Sequence, residues 1–126
     1  MSDPLHFRWQ TMESDQPMPK ISRRRIFGAQ SMISHVTLEE GFELASHAHD
    51  NEQFACVLSG RMLFAVGSRD QETYRELEVK AGDVLYLPGG LPHAARALED
   101  SVILDVFSPP SERTGVDDAE SSARGS

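Results

Sequence analysis

At 126 residues, with 39% hydrophobic and 25% charged side chains, the chain is long enough for one domain with a buried core and reads as soluble. Twelve lysines and arginines stand against 20 aspartates and glutamates. The resulting charge of −8 argues against a nucleic-acid partner, which needs a basic face. No apolar run approaches the about 20 residues that cross a bilayer. The N-terminal MSDPLHFRWQTMESD has no apolar signal core, so no membrane contact and a cytoplasmic location are expected.

Residues 1–20 contain three prolines and mixed polar side chains, with Phe7 and Trp9 as the large aromatics. They predict an extended N-terminal arm whose aromatics pack on the fold or on a second subunit, with His6 at the surface. Residues 21–110 are a succession of short β-like segments: SMISHVTL, FACVL, RMLFAV, YRELEV, DVLYL, HAARAL and SVILDVF. Gly-, Pro- and Asp-containing breaks such as KAGD and PGGLP separate them. This punctuation predicts an all-β sandwich or barrel, and no ten-residue stretch carries a helical period. Residues 111–126, SERTGVDDAESSARGS, are polar and small and predict a disordered tail. The single cysteine, Cys56, lies in an apolar run and reads as an inert core thiol.

Two strands are apolar on both faces. Phe54, Cys56 and Leu58 alternate with Ala55 and Val57. Val102, Leu104 and Val106 alternate with Ile103, Asp105 and Phe107. A strand with water on one side would alternate with polar residues. A second sheet explains one apolar face, and a homodimer explains the other.

The chemistry concentrates in GFELASHAHDNEQFACVLSG and GDVLYLPGGLPH. In a strand, residues i and i+2 share a face, so His47 and His49 are expected to aim at one point. With His93 and the amide oxygen of Gln53, they could hold a divalent transition metal and leave positions for substrate. Zinc, nickel, iron, manganese and copper all suit such a set. Gly41 and Gly60 are expected at positive-φ turns. Pro88, Gly89 and Gly90 form a rigid turn that delivers His93. His35 either faces the pocket or is a half-buried strand histidine. Asp105 interrupts an apolar strand, and its burial is costly unless it is paired or performs work. It is a proton carrier or a member of an ion pair with Arg24 or Arg61.

The two segments resemble the paired motifs of the cupin superfamily over roughly residues 24 to 110. Gly41, His47, His49 and Gly60 match the first motif, with Gln53 where glutamate is usual. Gly82, Pro88, Gly90 and His93 match the second, with Ala97 at its asparagine position. The resemblance implies a cupin double-stranded β-helix, or jelly-roll, barrel, here spanning residues 21–110, with a metal on His47, His49, Gln53 and His93.

HAHDNEQ followed by LDVFSPP is most similar to small cupins that linearise unsaturated uronates. That resemblance implies a small anionic sugar acid as substrate, converted from a 4,5-unsaturated ring to an open-chain keto form. It implies catalytic roles for Asp105 and Phe107. Such proteins carry an arginine after the SPP segment, where this chain has Ser111. Arg113, or an arginine of the run Arg23, Arg24 and Arg25, would replace it, and Arg24 is the candidate from the run. Otherwise the run is a solvated strand edge. Polyketide-cyclising cupins, dioxygenase cupins and non-catalytic metal- or ligand-binding cupins are the competing readings.

Overall fold

A computed structural model describes residues 3–116. Nine strands form two antiparallel sheets among the described residues. The first sheet contains β1 (Ile21–Phe27), β2 (Met32–Leu38), β9 (Ser101–Ser108), β4 (Glu52–Ser59) and β7 (Val84–Leu87), in that spatial order. The second contains β3 (Glu43–His47), β8 (His93–Ala97), β5 (Arg61–Val66) and β6 (Arg75–Lys80). This is the all-β jelly-roll barrel that the sequence predicts. No helix among the described residues is long and apolar enough to cross a membrane.

Alternation builds the core. Met32, Val36 and Leu38 of β2, Ile103 and Phe107 of β9, and Ala55 and Val57 of β4 point inward. They meet Met62, Phe64 and Val66 of β5 from the second sheet. The inward set includes polar residues toward one end of the strands: Ser34, Gln53 and Asp105. The opposite face of β4 and β7 leaves Phe54, Leu58, Val84 and Tyr86 exposed. Cys56 lies on this outer face and is only half-buried, so it is not a core thiol.

The arm lies against the barrel. Trp9 sits in a 3-10 turn, and its ring is 5.2 Å from that of His35 on the outer face of β2. His35 therefore lies away from the pocket. Asp15 forms an isolated antiparallel bridge with Arg23. The C-terminal segment departs from expectation. Thr114 and Gly115, placed by the sequence in a disordered tail, are buried against the barrel. Residues 117–126 of that expected tail lie outside the described residues.

Gly41 and Gly60 have φ of +89° and +86°, as turn glycines should. Gly60 also has no room, because an added Cβ would lie 2.2 Å from Ser101 Oγ and 2.3 Å from the Asp100 carbonyl oxygen. Gly82, at φ +93°, has nothing within 4 Å of such an atom. Gly82→Ala should therefore carry only the left-handed strain, about 1–2 kcal/mol. Gly60→Ala should lose about 1–3 kcal/mol more through the clash. Urea unfolding of both variants tests this, and equal losses would show that the close approach to Ser101 carries no weight.

Candidate metal centre and cavity

β3 and β8 pair so that His47 stands directly opposite His93. Opposite residues share a sheet face, and here the two rings are 4.3 Å apart, edge to face. His49 lies beyond the end of β3, so strand alternation does not align it with His47. The loop turns it back instead. Its carbonyl accepts from the Gly90 amide at 2.8 Å, and the Asn51 side chain donates to the Pro109 carbonyl. The His49 ring comes to 5.6 Å from His47 and 5.0 Å from His93. One ring nitrogen from each of the three lies within 4.8 Å of the others.

The Nδ1 atoms of His47, His49 and His93 face the carbonyls of Ala45, Asn51 and Leu91 at 3.0, 3.0 and 2.9 Å. A carbonyl only accepts, so each Nδ1 carries a hydrogen, and in the neutral imidazole this leaves the Nε2 lone pair as the ligating one. Nε2 of His49 is buried without a hydrogen-bond partner. A buried unsatisfied acceptor is costly, and a cation satisfies it. Burial pushes His93 down to about 4, with the charges of His47 and His49 adding to the effect against its backbone bond. Burial thus disposes His93 to stay neutral, as a metal ligand must be. On donor chemistry and geometry, the trio fits a divalent metal.

His47, Gln53, His93, Asp105 and Phe107 line one cavity of about 60 Å³. Gln53 and Phe107 are directly opposite across β4 and β9. Asp105 is opposite Ala55 on one side and Ser34 on the other. The Gln53 amide nitrogen donates to Asp105 Oδ1 at 2.9 Å, leaving its carbonyl oxygen as the end that can meet a cation. A glutamate at position 53 would place two carboxylates in contact, so Gln53 and Asp105 fit as a pair. Burial raises Asp105 to about 7, the Gln53 bond opposing it. Phe107 is buried, with its ring 5.8 Å from that of His49.

Neither arginine proposed as an ion-pair partner reaches Asp105. Arg24 is on the outer face of β1, opposite His35, where its Nε donates to the Met12 carbonyl at 3.0 Å. Arg61 pairs with Glu78 at 3.1 Å and Glu99 at 3.4 Å. Arg24 is therefore also not the cavity arginine expected from the sequence. Alternation along β1 puts Arg23 there instead, only 3% exposed and lining the same cavity. Arg113 lines a separate surface hollow that it shares with His49, Asn51 and Ser111.

Residues 114–116 roof the site. Thr114 and Val116 line the cavity, and a Cβ added to Gly115 would lie 2.1 Å from His47 Nε2. Only glycine, here at φ +106°, lets the backbone approach a ligand nitrogen so closely. Sequence reasoning missed this contact, since no local pattern links Gly115 to His47.

The fold and the trio of imidazoles define a small metal-binding β-barrel. The chain belongs to the cupin family: residues 34–107 match the family described as "Cupin domain". It is similar to the structure of KdgF from Halomonas sp., at 26% identity and a TM-score of 0.72, over 84% of this chain and 95% of that one. An RmlC-like cupin from Shewanella frigidimarina is 24% identical with a TM-score of 0.73, over 88% of this chain and 95% of that one. An oxalate decarboxylase from Lactobacillus farciminis, at 18% identity and TM-score 0.77, shares the fold over 90% of this chain and 35% of its own. No curated protein matches the chain significantly in sequence.

Asp105 gives the metal-free protein a defined pH response. Its folded-state pKa is raised above the unfolded value, so the folded state binds the extra proton between about pH 4 and about 7. That stabilising contribution is full below pH 4 and is lost as the pH rises through 7. Thermal melts of metal-free protein should show this decline, and Asp105→Asn should flatten it. A bound dication favours the carboxylate and should shrink the slope. An identical pH profile in Asp105→Asn would remove Asp105 as its source.

Proposed function

We propose that the protein is a metal-dependent, non-redox enzyme that opens the ring of a 4,5-unsaturated uronate or a similar small sugar acid. The observation that carries this reading is one cavity shared by His47, Gln53, His93, Asp105 and Phe107, with His49 completing the imidazole trio behind it. The resemblance to uronate-linearising cupins and the likeness to KdgF support it.

His47, His49, His93 and the Gln53 oxygen hold the metal, with zinc, nickel, iron and manganese all compatible with these donors. The bound ion supplies Lewis acidity to a substrate oxygen. The net change is an isomerisation. The anomeric hydroxyl gives up a proton, the bond from the anomeric carbon to the ring oxygen breaks, and the resulting enol becomes a ketone with a proton added at the neighbouring carbon. Asp105 carries protons between these sites, since it is the only carboxylate lining the cavity among the described residues. Its hydrogen bond to Gln53 fixes its orientation. Phe107 packs against the sugar ring and excludes water. A volume of about 60 Å³ holds a few waters, less than a monosaccharide needs, so substrate is admitted with residues 114–116 displaced.

A second reading, a cupin acting on aromatic polyketides, is favoured by Phe42, Phe64 and Phe107 in the cavity wall. Arg23 in the same wall favours an anion.

Loss of ultraviolet absorbance from 4,5-unsaturated galacturonate, followed under argon, separates these readings. Metal-loaded protein should accelerate the decay, and metal-stripped protein should not. Asp105→Asn should lose about 100-fold or more in rate while keeping its metal. No acceleration by protein with verified metal would sink the uronate reading.

We propose in addition that the protein is a homodimer, with the outer face of β4 and β7 covered by a second copy. Phe54, Leu58, Val84 and Tyr86 are 40%, 53%, 60% and 47% exposed, and the Phe54 and Tyr86 rings lie 4.9 Å apart. An apolar cluster of this kind marks an association surface. Light scattering after gel filtration should give twice the chain mass, and Phe54→Ser with Tyr86→Ser should give the monomer. A monomeric wild type would exclude the dimer.

A further inference from the structure

We infer that Ser34 is a substrate-binding residue whose hydroxyl, beside Asp105, holds the anomeric hydroxyl of the sugar acid, an assignment that rests on the uronate reading. Serine is an anomaly at this position. β2 turns Met32, Val36 and Leu38 inward, and the same alternation calls for an apolar side chain at position 34. Ser34 is 2% exposed and lines the cavity. Buried polar groups in folded proteins are hydrogen-bonded as a rule. Others here obey it: Asn51 donates to the Pro109 carbonyl, Gln53 donates to Asp105, and His93 faces the Leu91 carbonyl. The Ser34 side chain makes no hydrogen bond among the described residues.

Ser101 shows what a structural serine does in this barrel. It is 1% exposed, and its Oγ accepts from the Arg61 amide at 3.0 Å and donates to the Glu99 carbonyl at 2.9 Å. These bonds tie the start of β9 to the start of β5, outside the cavity wall. The Ser34 hydroxyl has no such task. One cross-strand neighbour is Arg25, whose guanidinium instead donates to the Glu112 carbonyl at 3.0 Å and meets Asp15 at 3.5 Å. The other is Asp105.

The pairing with Asp105 defines what the hydroxyl meets. Side chains directly opposite in an antiparallel pair have Cβ atoms about 4.5–5.5 Å apart. A ligand oxygen entering between them reaches both. Asp105 Oδ1 accepts from the Gln53 amide, and Oδ2 makes no hydrogen bond among the described residues. Ala55, on the other side of Asp105, offers no side-chain donor. An ionised carboxylate only accepts, whereas a serine hydroxyl also donates. The pair therefore fits a hydroxyl group, whose O–H donates to Asp105 and whose oxygen accepts from Ser34. In the ring opening, the anomeric hydroxyl is the group that gives up its proton to Asp105, so it is the group that comes within range of Ser34. The bond from Ser34 holds that oxygen with its proton directed at the carboxylate. Ser34 itself moves no proton and forms no bond to carbon.

Galacturonate lacks the unsaturated bond that the reaction needs, so it probes the contact without turnover. Its analogue with hydrogen in place of the anomeric hydroxyl is the reference. In calorimetry on the metal-loaded full chain, Ser34→Ala should weaken galacturonate by about 2- to 10-fold and leave the analogue unchanged. Ser34→Thr keeps a hydroxyl and should restore the difference. Melting without ligand separates this role from a structural one. Ser34→Ala should melt no lower than wild type, while Ser101→Ala, which loses its bonds to Arg61 and Glu99, should melt lower and keep both affinities. The assignment is overturned if Ser34→Ala weakens both sugars equally or neither, if it melts as low as Ser101→Ala, or if the wild type does not distinguish the two sugars. Turnover of the unsaturated uronate is read separately. Ring opening with an unchanged kcat/KM in Ser34→Ala would leave the enzyme and remove the Ser34 contact. A preference that depends on Ser34, without ring opening by metal-loaded protein, would leave the contact and remove the reaction.

Discussion

β9 is hydrogen-bonded on both sides, to β2 and to β4, and both registers run unbroken past Asp105. This double pairing puts Asp105 between Ser34 and Ala55, and Phe107 between Met32 and Gln53. A slip of one residue on either side would send Asp105 to the outer face and Leu104 or Val106 into the cavity. The apolar side chains of β9 enforce the register, since Ile103 and Phe107 are buried only when Asp105 faces inward too. The energy of the core thus holds a carboxylate where burial opposes its charge.

The inner surface of the barrel changes character along its strands. Val57 packs in the apolar core, Val36, Met62 and Ile103 form apolar parts of the cavity wall, and His47, His93, Gln53 and Asp105 join Phe107 in lining the same cavity. Rigid strands carry His47, Gln53, His93 and Asp105, which keeps their relative positions fixed. His49 is the exception, placed by a loop. Its position depends on the Gly90 amide, the Asn51 side chain and the carbonyl facing its own Nδ1.

Much of this was legible in local patterns. Period-two alternation showed that Asp105, Ile103 and Phe107 share a face, and the glycine and proline spacing marked the turns around the histidines. Other features depend on partners distant in sequence. His-x-His read as one strand face, but β3 stops at His47, and the convergence of the rings comes from pairing with β8 and from the loop. The arginine run showed alternation but not which phase faces inward. That was settled by the pairing of β1 with β2, which buries Arg23 and turns Arg24 outward. The polar composition of residues 111–126 suggested a free tail, yet Thr114 and Gly115 are buried at the cavity, where Thr114 forms part of its wall.

The seat of Gly115 against His47 Nε2 bears on how an ion comes and goes. The three imidazoles are held by their backbone carbonyls whether or not residues 114–116 lie above them. Affinity is therefore written into the strands and the loop, while access is written into the C-terminal segment. Where a bound ion leaves past that segment, its residence time would be set by a local opening equilibrium as well as by the strength of its bonds. A centre of this construction can hold an ion of ordinary affinity for longer than its dissociation constant alone would suggest.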